Sequence, residues 1–106
     1  MDSWHWWTAG DTEADILSLD PVQVVAVDLN DAPAGIPREE QIDGRRELPM
    51  ATGVIDVKVF LNALNRIGYR GPVRAEPFNQ ALNSLDNEAA CAATIVALRK
   101  AFALIE

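Results

Sequence analysis

Val22-Gln-Val-Val-Ala-Val-Asp-Leu29 is a short, β-branched and almost continuously apolar segment. Such a segment is typical of a strand that is buried on both faces, as in a parallel sheet. Asn30-Asp-Ala-Pro-Ala-Gly35 follows it and supplies the residues that favour a turn. We therefore predict a buried parallel strand over Val22–Leu29, and with it an α/β fold.

Helical patterns lie on both sides of this strand. A short helix is predicted from about Glu13 to Leu19, behind Thr12 as N-cap. A second helix is predicted behind Asp56 as N-cap and before Gly68 as C-cap. Its apolar face consists of Val57, Phe60, Leu61, Leu64 and Ile67.

A second strand and a third helix complete the pattern. A short strand is predicted over Val73–Phe78. A long last helix is predicted to follow, with possible N-caps among Ser84–Asn87. The predicted buried face of that helix is Cys91, Ile95, Leu98, Phe102 and Ile105, so Cys91 is interpreted as a core residue. Alternating strands and helices favour right-handed βαβ units. Because two strands cannot form a covered parallel sheet, we expect the rest to be missing or supplied by another chain.

Length, charge and composition narrow the function classes. The chain has 106 residues, which is one domain at most, and its net charge is −7. That acidity argues against binding of nucleic acid or of an anionic membrane. A single cysteine, no leader pattern and no apolar run of about 18 residues favour a cytoplasmic location.

Polar residues that could carry chemistry lie where the predicted strands end. They are Asp2 with His5, Asp28 with Asp31, and Glu76. Three carboxylate positions at the ends of successive strands would suit a metal site on a barrel rim. The alternatives are that Asp2 and His5 are disordered terminal residues and that Asp31 only forms a turn.

Two further segments have open interpretations. Trp4, Trp6 and Trp7 bracket His5, and their faces would suit either the core or the C–H faces of a sugar. Residues 33–53 form a long charged connection, which is either a binding loop or a solvated one.

Several motifs occur in a characteristic order: Asp2-Ser-Trp-His5-Trp-Trp, Val27-Asp-Leu-Asn-Asp31-Ala-Pro, Arg45-Arg-Glu-Leu-Pro49, Thr52-Gly-Val-Ile-Asp56, Gly68-Tyr-Arg-Gly-Pro72 and Glu76-Pro-Phe78. In this combination the chain resembles the C-terminal part of the sugar phosphate isomerase/epimerase family, the xylose-isomerase-like TIM barrels. The resemblance implies that Asp2 ends barrel strand 6, Val22–Asp28 is strand 7 and Val73–Glu76 is strand 8, with outer helices 6 to 8. Residues 1–106 would then be a single C-terminal fragment of a partial (β/α)8 TIM barrel.

The resemblance also implies a reaction and a set of site residues. A divalent metal would be held by Asp2 and Glu76, and Glu76 would also move a proton on the carbon next to a carbonyl, via an enediolate. His5 would bind the substrate, with Trp4 beside it. Arg45 or Arg46 would contact a hydroxyl or phosphate of a sugar or sugar phosphate. The implied activity is a metal-dependent isomerase or epimerase of carbohydrate metabolism.

The chain departs from the family pattern at three places. Asp28 stands where the family has a metal-binding histidine, so the ligands would be all oxygen and would favour Mn²⁺ or Mg²⁺ over Zn²⁺. Met50 follows Pro49 where the family often has glycine, and methionine lacks the freedom of glycine at positive φ. Strands 1 to 5 are absent, and with them the strand-5 glutamate that would be a ligand and the second acid/base.

These departures leave three hypotheses. The first is an isomerase or epimerase fragment that is inactive alone and associates with a missing barrel half. The second is a non-catalytic module that binds a sugar or metal weakly, or self-associates as a homo-oligomer through its open sheet edge. The third is the endonuclease IV branch of the superfamily, which is disfavoured because its zinc cluster is rich in histidine and this chain has one.

Overall fold

A computed structural model describes residues 1–106. The elements follow the order α1 (Ser3–Ala9), α2 (Glu13–Leu17), β1 (Val27–Asp28), α3 (Val57–Arg66), β2 (Val73–Arg74), α4 (Gln80–Asn83) and α5 (Asn87–Phe102). Single 3₁₀ turns, Pro21–Gln23 and Arg38–Glu40, lie in the connections. No helix has both the length and the apolar character needed to cross a membrane.

The strands form a small parallel sheet. Val27 pairs with Val73 and Asp28 with Arg74. The amides of Val27 and Leu29 donate to the β2 side, whereas the amide of Asp28 donates to the Met1 carbonyl at 2.8 Å. Asp2 accordingly forms a parallel bridge with Asp28. Three chain segments therefore end at one edge of the sheet, and the predicted parallel α/β organisation is confirmed.

Both strands are shorter than predicted. Residues 22–26 do not belong to β1, and Val22 and Val25 are 86% and 84% exposed. The Asp20 carboxylate caps a 3₁₀ turn by accepting from the Val22 amide at 3.0 Å, so extended pairing begins only at Val27. The second strand ends at Arg74, because the amide of Glu76 donates to the Asn30 side chain at 2.8 Å instead of to a neighbouring strand.

The core is centred on α3, and this helix matches its sequence pattern. Asp56 caps it by accepting from the Val59 amide at 3.0 Å. Gly68 follows its last turn with a left-handed φ of +87°. The helix buries Val57, Phe60, Leu61, Ala63 and Leu64, and α2 packs against it. The predicted α2 also forms, with the capping box of Thr12 and Asp15, but it ends at Leu17 rather than Leu19.

The predicted buried face of α5 is wrong except at Leu98, which packs partly buried against the core. Ile95 and Phe102 are 49% and 41% exposed, Ile105 is 38% exposed, and Cys91 is exposed rather than part of the core. The helix buries Ala97 and Ala101 instead and packs through this small-residue side on α3. Of the larger apolar side chains on α5, Leu98 packs partly buried against the core, Phe102 lines a cavity with Leu61 and Leu64, and Ile95 is left half exposed.

The long connection after β1 folds back on the sheet edge. Asp31 and Glu47 form an antiparallel bridge, with both amide-to-carbonyl distances at 2.9 Å. Met50 has a φ of +70°, and every other residue with positive φ is a glycine. Met50 therefore holds a left-handed conformation that carries a steric cost for a residue with a side chain.

Candidate functional site

Three carboxylates lie together at the carboxyl edge of the sheet. One oxygen each from Asp2, Asp28 and Glu76, the carboxylate triad below, lie within 4.8 Å of one another. The side chains are 10%, 18% and 37% exposed, respectively. The parallel register explains the grouping, since Asp28 pairs with Asp2 on one side and with Arg74, two residues before Glu76, on the other.

Asp2 is held by hydrogen bonds on both carboxylate oxygens. Its Oδ1 accepts from the amides of Trp4 at 2.7 Å and His5 at 3.3 Å, which makes Asp2 the N-cap of α1. Its Oδ2 accepts from Arg46 Nη1 at 2.7 Å and Asn30 Nδ2 at 3.4 Å. The interpretation of Asp2 as a disordered terminal residue is therefore wrong.

Arg46 is a buried cation beside the triad. Its side chain is 3% exposed, and Nη1 lies 3.5 Å from Glu76 Oε2 as well as 2.7 Å from Asp2. The guanidinium carbon lies 5.0 Å and 4.9 Å from the ring centroids of Trp4 and Phe78. Such aromatic contacts favour a buried guanidinium. Of the two candidate arginines, the structure places Arg46 at the triad.

Arg45 is exposed and lines a cavity beside the triad. With Arg46, Phe78 and Asn79 it lines a cavity of about 460 Å³ next to the triad edge. Asn79 fixes the wall of this cavity, because its Nδ2 donates to the Arg46 carbonyl and to the Glu47 carboxylate. Arg45 therefore adds positive charge near the site without contacting the triad.

His5 and Asp43 border the Arg46 guanidinium on the solvent side. His5 Nε2 lies 3.2 Å from Arg46 Nη2 and 3.3 Å from Asp43 Oδ1. Asp43 accepts from Arg46 twice, through its carbonyl at 2.9 Å and its Oδ1 at 2.7 Å. His5 is 60% exposed, so it is accessible to a ligand. Trp4 is 5% exposed, and it packs in the core edge-on to the His5 ring.

Asp28 pairs with Arg74 across the sheet. Arg74 Nε donates to Asp28 Oδ1, and this hydrogen bond and the Asp28 charge raise the pKa of Arg74 above its usual range. The arginine is 69% exposed, so its long side chain has room to move into solvent. Asp28 thus takes part in the triad with one oxygen already engaged.

Asp31 is separate from the triad. It is fully buried, and its carboxylate accepts from the amides of Ala32, Thr52, Gly53 and Ile55 at 2.8–3.0 Å. These bonds tie the end of the long connection to the start of α3. Asp31 is therefore more than a local turn former, because it joins segments more than twenty residues apart.

Residues that the sequence interpretation missed hold the triad in place. Asn30 is fully buried and bonds the Glu76 amide through Oδ1 and Asp2 through Nδ2. Ser3 Oγ contacts both the amide and the carbonyl of Asn30 at 2.7 Å. The position of Asn30 directly after the predicted strand could have indicated this role. A side-chain amide that is buried at a strand end is normally hydrogen-bonded to the groups around it.

The donor set is chemically suited to a hard divalent cation. Three carboxylates supply oxygen ligands of the kind that Mg²⁺ and Mn²⁺ prefer. Two guanidinium groups, of Arg46 and Arg74, already contact these carboxylates as cations. The half-buried carboxylate of Glu76 and the exposed imidazole of His5 both contact Arg46, which also lines the cavity, an arrangement that can hold a small polar ligand and move a proton on it.

Comparisons with known proteins agree with one another. A family model described as "Xylose isomerase-like TIM barrel" matches residues 1–101. A xylose isomerase domain protein from Alicyclobacillus acidocaldarius subsp. acidocaldarius is 41% identical with a TM-score of 0.78, and the match covers 97% of this chain and 36% of that one. The IolI protein, solved with a bound zinc atom, is 24% identical with a TM-score of 0.86 and shares its fold over 95% of this chain and 36% of IolI. No curated protein sequence matches. The chain thus spans about a third of the length of these two structures.

Proposed function

Because the chain belongs to the xylose isomerase-like TIM barrel family, we propose that it is a C-terminal barrel segment. In this proposal β1 and β2 are barrel strands 7 and 8, Asp2 ends strand 6, and the helices that follow them are outer helices 6 to 8. The parallel register and the Asp2 bridge to Asp28 support the assignment. Residues 1–106 then form a single unit that makes up only the C-terminal part of a closed barrel.

The proposed activity is that of a metal-dependent sugar, sugar phosphate or polyol isomerase or epimerase. The observation that carries it is the carboxylate triad at the carboxyl edge of the parallel strands, where barrel enzymes place their sites. Family membership supplies the reaction class, and the acidic edge supports a site for a cation and a small polar substrate. Transfer of a proton next to a carbonyl is the chemistry that isomerases and epimerases share.

Asp2, Asp28 and Glu76 would hold the metal. When bound, a divalent metal polarises a carbonyl and stabilises negative charge that develops on its oxygen. The ligands of this chain are all oxygen, which favours Mn²⁺ or Mg²⁺ over Zn²⁺. The IolI structure contains a bound zinc atom. We propose that Asp28, which supplies an oxygen ligand, shifts the metal preference of this chain away from zinc.

The chain's own residues have separate proposed roles. Glu76, held at its amide by Asn30, accepts a proton from the carbon next to the carbonyl to give an enediolate, and in an isomerisation it delivers that proton to the former carbonyl carbon while the hydroxyl proton passes from one oxygen to the other. His5 contacts a substrate hydroxyl from the solvent side, with Trp4 as the wall behind it. Arg46 or Arg45 binds a substrate hydroxyl or phosphate through its guanidinium donors.

The isolated chain is proposed to be inactive. Only one acid/base carboxylate, Glu76, is positioned for the reaction, and epimerisation at one carbon needs proton removal and return on opposite faces. Its expected partners are the rest of a barrel and a small-molecule sugar, with a cytoplasmic location. Nucleic acid is disfavoured as a partner by the net charge of −7.

A titration with Mn²⁺, measured by calorimetry on the wild type and on Glu76→Ala, tests the site. We expect binding to the wild type and a loss of at least about tenfold in Glu76→Ala, because one of three charged ligands is removed. Glu88→Ala is the matched control, since Glu88 is exposed on α5 and away from the triad. Equal affinities in wild type and Glu76→Ala would remove Glu76 from the metal site.

A self-associating, non-catalytic module is the second candidate. The exposed apolar side chains of Val22, Val25, Ile95, Val96 and Phe102 favour it. Light scattering after size-exclusion chromatography distinguishes the candidates. A concentration-dependent dimer or larger oligomer would support self-association, and a well-folded monomer at high concentration would exclude it.

A further inference from the structure

The oxygens proposed to bind a metal are already engaged by this chain's own donors. A carboxylate offers about four acceptor positions. Asp2 uses all four, for two backbone amides, Arg46 and Asn30. A cation that approaches Asp2 must therefore displace a donor. The amides belong to the first turn of α1, so the side-chain donors on Oδ2 are the ones that can be displaced without unwinding a helix.

Arg46 is the strongest of these donors. Its Nη1 lies 2.7 Å from Asp2 Oδ2 and 3.5 Å from Glu76 Oε2, so one positive group bridges two members of the triad. It is buried between Trp4 and Phe78 and anchored to Asp43 by two further hydrogen bonds. A buried, anchored guanidinium neutralises the same charge that a bound metal would neutralise.

Resting on the proposed function, we propose that the Arg46 guanidinium is a built-in cation that competes with a divalent metal for Asp2 and Glu76. Metal binding and the contacts of Arg46 Nη1 to these two carboxylates exclude each other. Two cations at such oxygens would lie only a few Å apart, and unit charges about 4 Å apart repel strongly where water is scarce. Wild-type affinity is therefore set by release of Arg46 as well as by ligation.

The second arginine at the triad is a weaker competitor. Arg74 contacts only Asp28, and it is 69% exposed against 3% for Arg46. An exposed side chain can turn into solvent at little cost, because water replaces its hydrogen bond. Arg46 has no such route, since its stacking partners and Asp43 enclose it. Removal of Arg46 should therefore raise metal affinity more than removal of Arg74.

The test compares Mn²⁺ affinity in the wild type, Arg46→Met and Arg74→Met by calorimetry and by the EPR signal of free Mn²⁺. Methionine keeps an apolar stem between the two rings and removes the charge. We expect affinity to rise at least about tenfold in Arg46→Met, a change of about 1.4 kcal/mol, and less in Arg74→Met. Arg99→Met is the control for loss of one charge, because Arg99 is exposed on α5.

A second readout does not depend on the metal affinity of a variant. The side-chain Nε–H signal of Arg46 is followed by NMR in the wild type during Mg²⁺ titration, and its assignment comes from its loss in Arg46→Lys. We expect this signal to shift with the same midpoint as binding. An Arg46 signal that stays fixed at saturation would overturn the competition even if Arg46→Met failed to fold.

The outcomes separate the two proposals. Binding that is lost in Glu76→Ala but unchanged or weakened in Arg46→Met overturns the competition and leaves the metal site standing. Absence of binding in the wild type and in Arg46→Met overturns both. Tighter binding in Arg46→Met, together with a moving Arg46 signal, supports both.

Discussion

α3 and α5 are both helices with regular apolar spacing, yet one buries its predicted face and the other does not. α3 places Phe60 and Leu64 at 0% and 2% exposure, whereas α5 leaves Ile95 and Phe102 at 49% and 41%. α2 packs along α3, and α3 supplies five of the thirteen residues of the buried core cluster, whereas α5 supplies only Ala101. Periodicity thus identifies an apolar face, and burial of that face depends on what else is folded beside it. Under the proposed barrel assignment, further barrel elements would cover the open face of α5.

Truncation of one large side chain on each helix gives the largest contrast. Phe60→Ala should cost about 3–5 kcal/mol of unfolding free energy, because a fully buried aromatic ring is replaced by a cavity. Ile95→Ala should change it by less than about 1 kcal/mol, as for exposed positions in general. Urea denaturation measures both. Similar losses would show that the outward face of α5 is covered in solution, for example by a second copy.

Substitution of Met50, which lies beside α5, should change the free energy of unfolding by less and in the opposite direction. Met50 lines a groove with Ala93 and Val96 and holds φ at +70°. Met50→Gly should raise the free energy of unfolding by about 0.5–1 kcal/mol, because relief of the left-handed strain exceeds the entropic cost of glycine. Thermal unfolding measures it, with Ala51→Gly as the control. A lower melting temperature in Met50→Gly would mean that its side-chain contacts outweigh the strain.

The smallest effect concerns the ion pair that joins α3 to the chain end after α5. Lys58 Nζ lies 2.7 Å from Glu106 Oε1, and this contact lowers the pKa of Glu106 and raises that of Lys58. A lowered carboxylate pKa stabilises the fold above the unfolded value of about 4.3, and the contribution is lost as pH falls. Lys58→Met should therefore be less stable than wild type at pH 6, and the gap should close by pH 3. A gap of the same size at both pH values would argue against this pair.

Local signals in the sequence predicted the elements that depend on near neighbours. The caps at Thr12 and Asp56 and the stop at Gly68 gave two helices nearly at their observed bounds. β1 was overestimated because the apolar run Val22–Val25 has no strand to pair with and follows the cap at Asp20. The apolar composition of a segment does not show whether a neighbouring strand is available to pair with it.

The site was predictable as a set of strand ends but not as a network. Parallel register brings Asp2, Asp28 and Glu76 together, as three carboxylates at successive strand ends suggested. The sequence could not choose between Arg45 and Arg46, because the choice depends on the aromatic rings of Trp4 and Phe78, which are 74 residues apart in sequence. Nor could it assign Asp31 to three amides of a distant segment.

Reconstitution of a whole barrel tests the proposed fragment most directly. The 106-residue chain is mixed with a separate polypeptide that carries the first five βα units and the sixth strand of a family barrel, and interconversion of aldoses and ketoses is followed with Mn²⁺ present. We expect a one-to-one complex with measurable turnover, none from either part alone, and a loss of turnover with Glu76→Gln. Turnover by the 106-residue chain alone, or undiminished turnover with Glu76→Gln, would contradict the proposal.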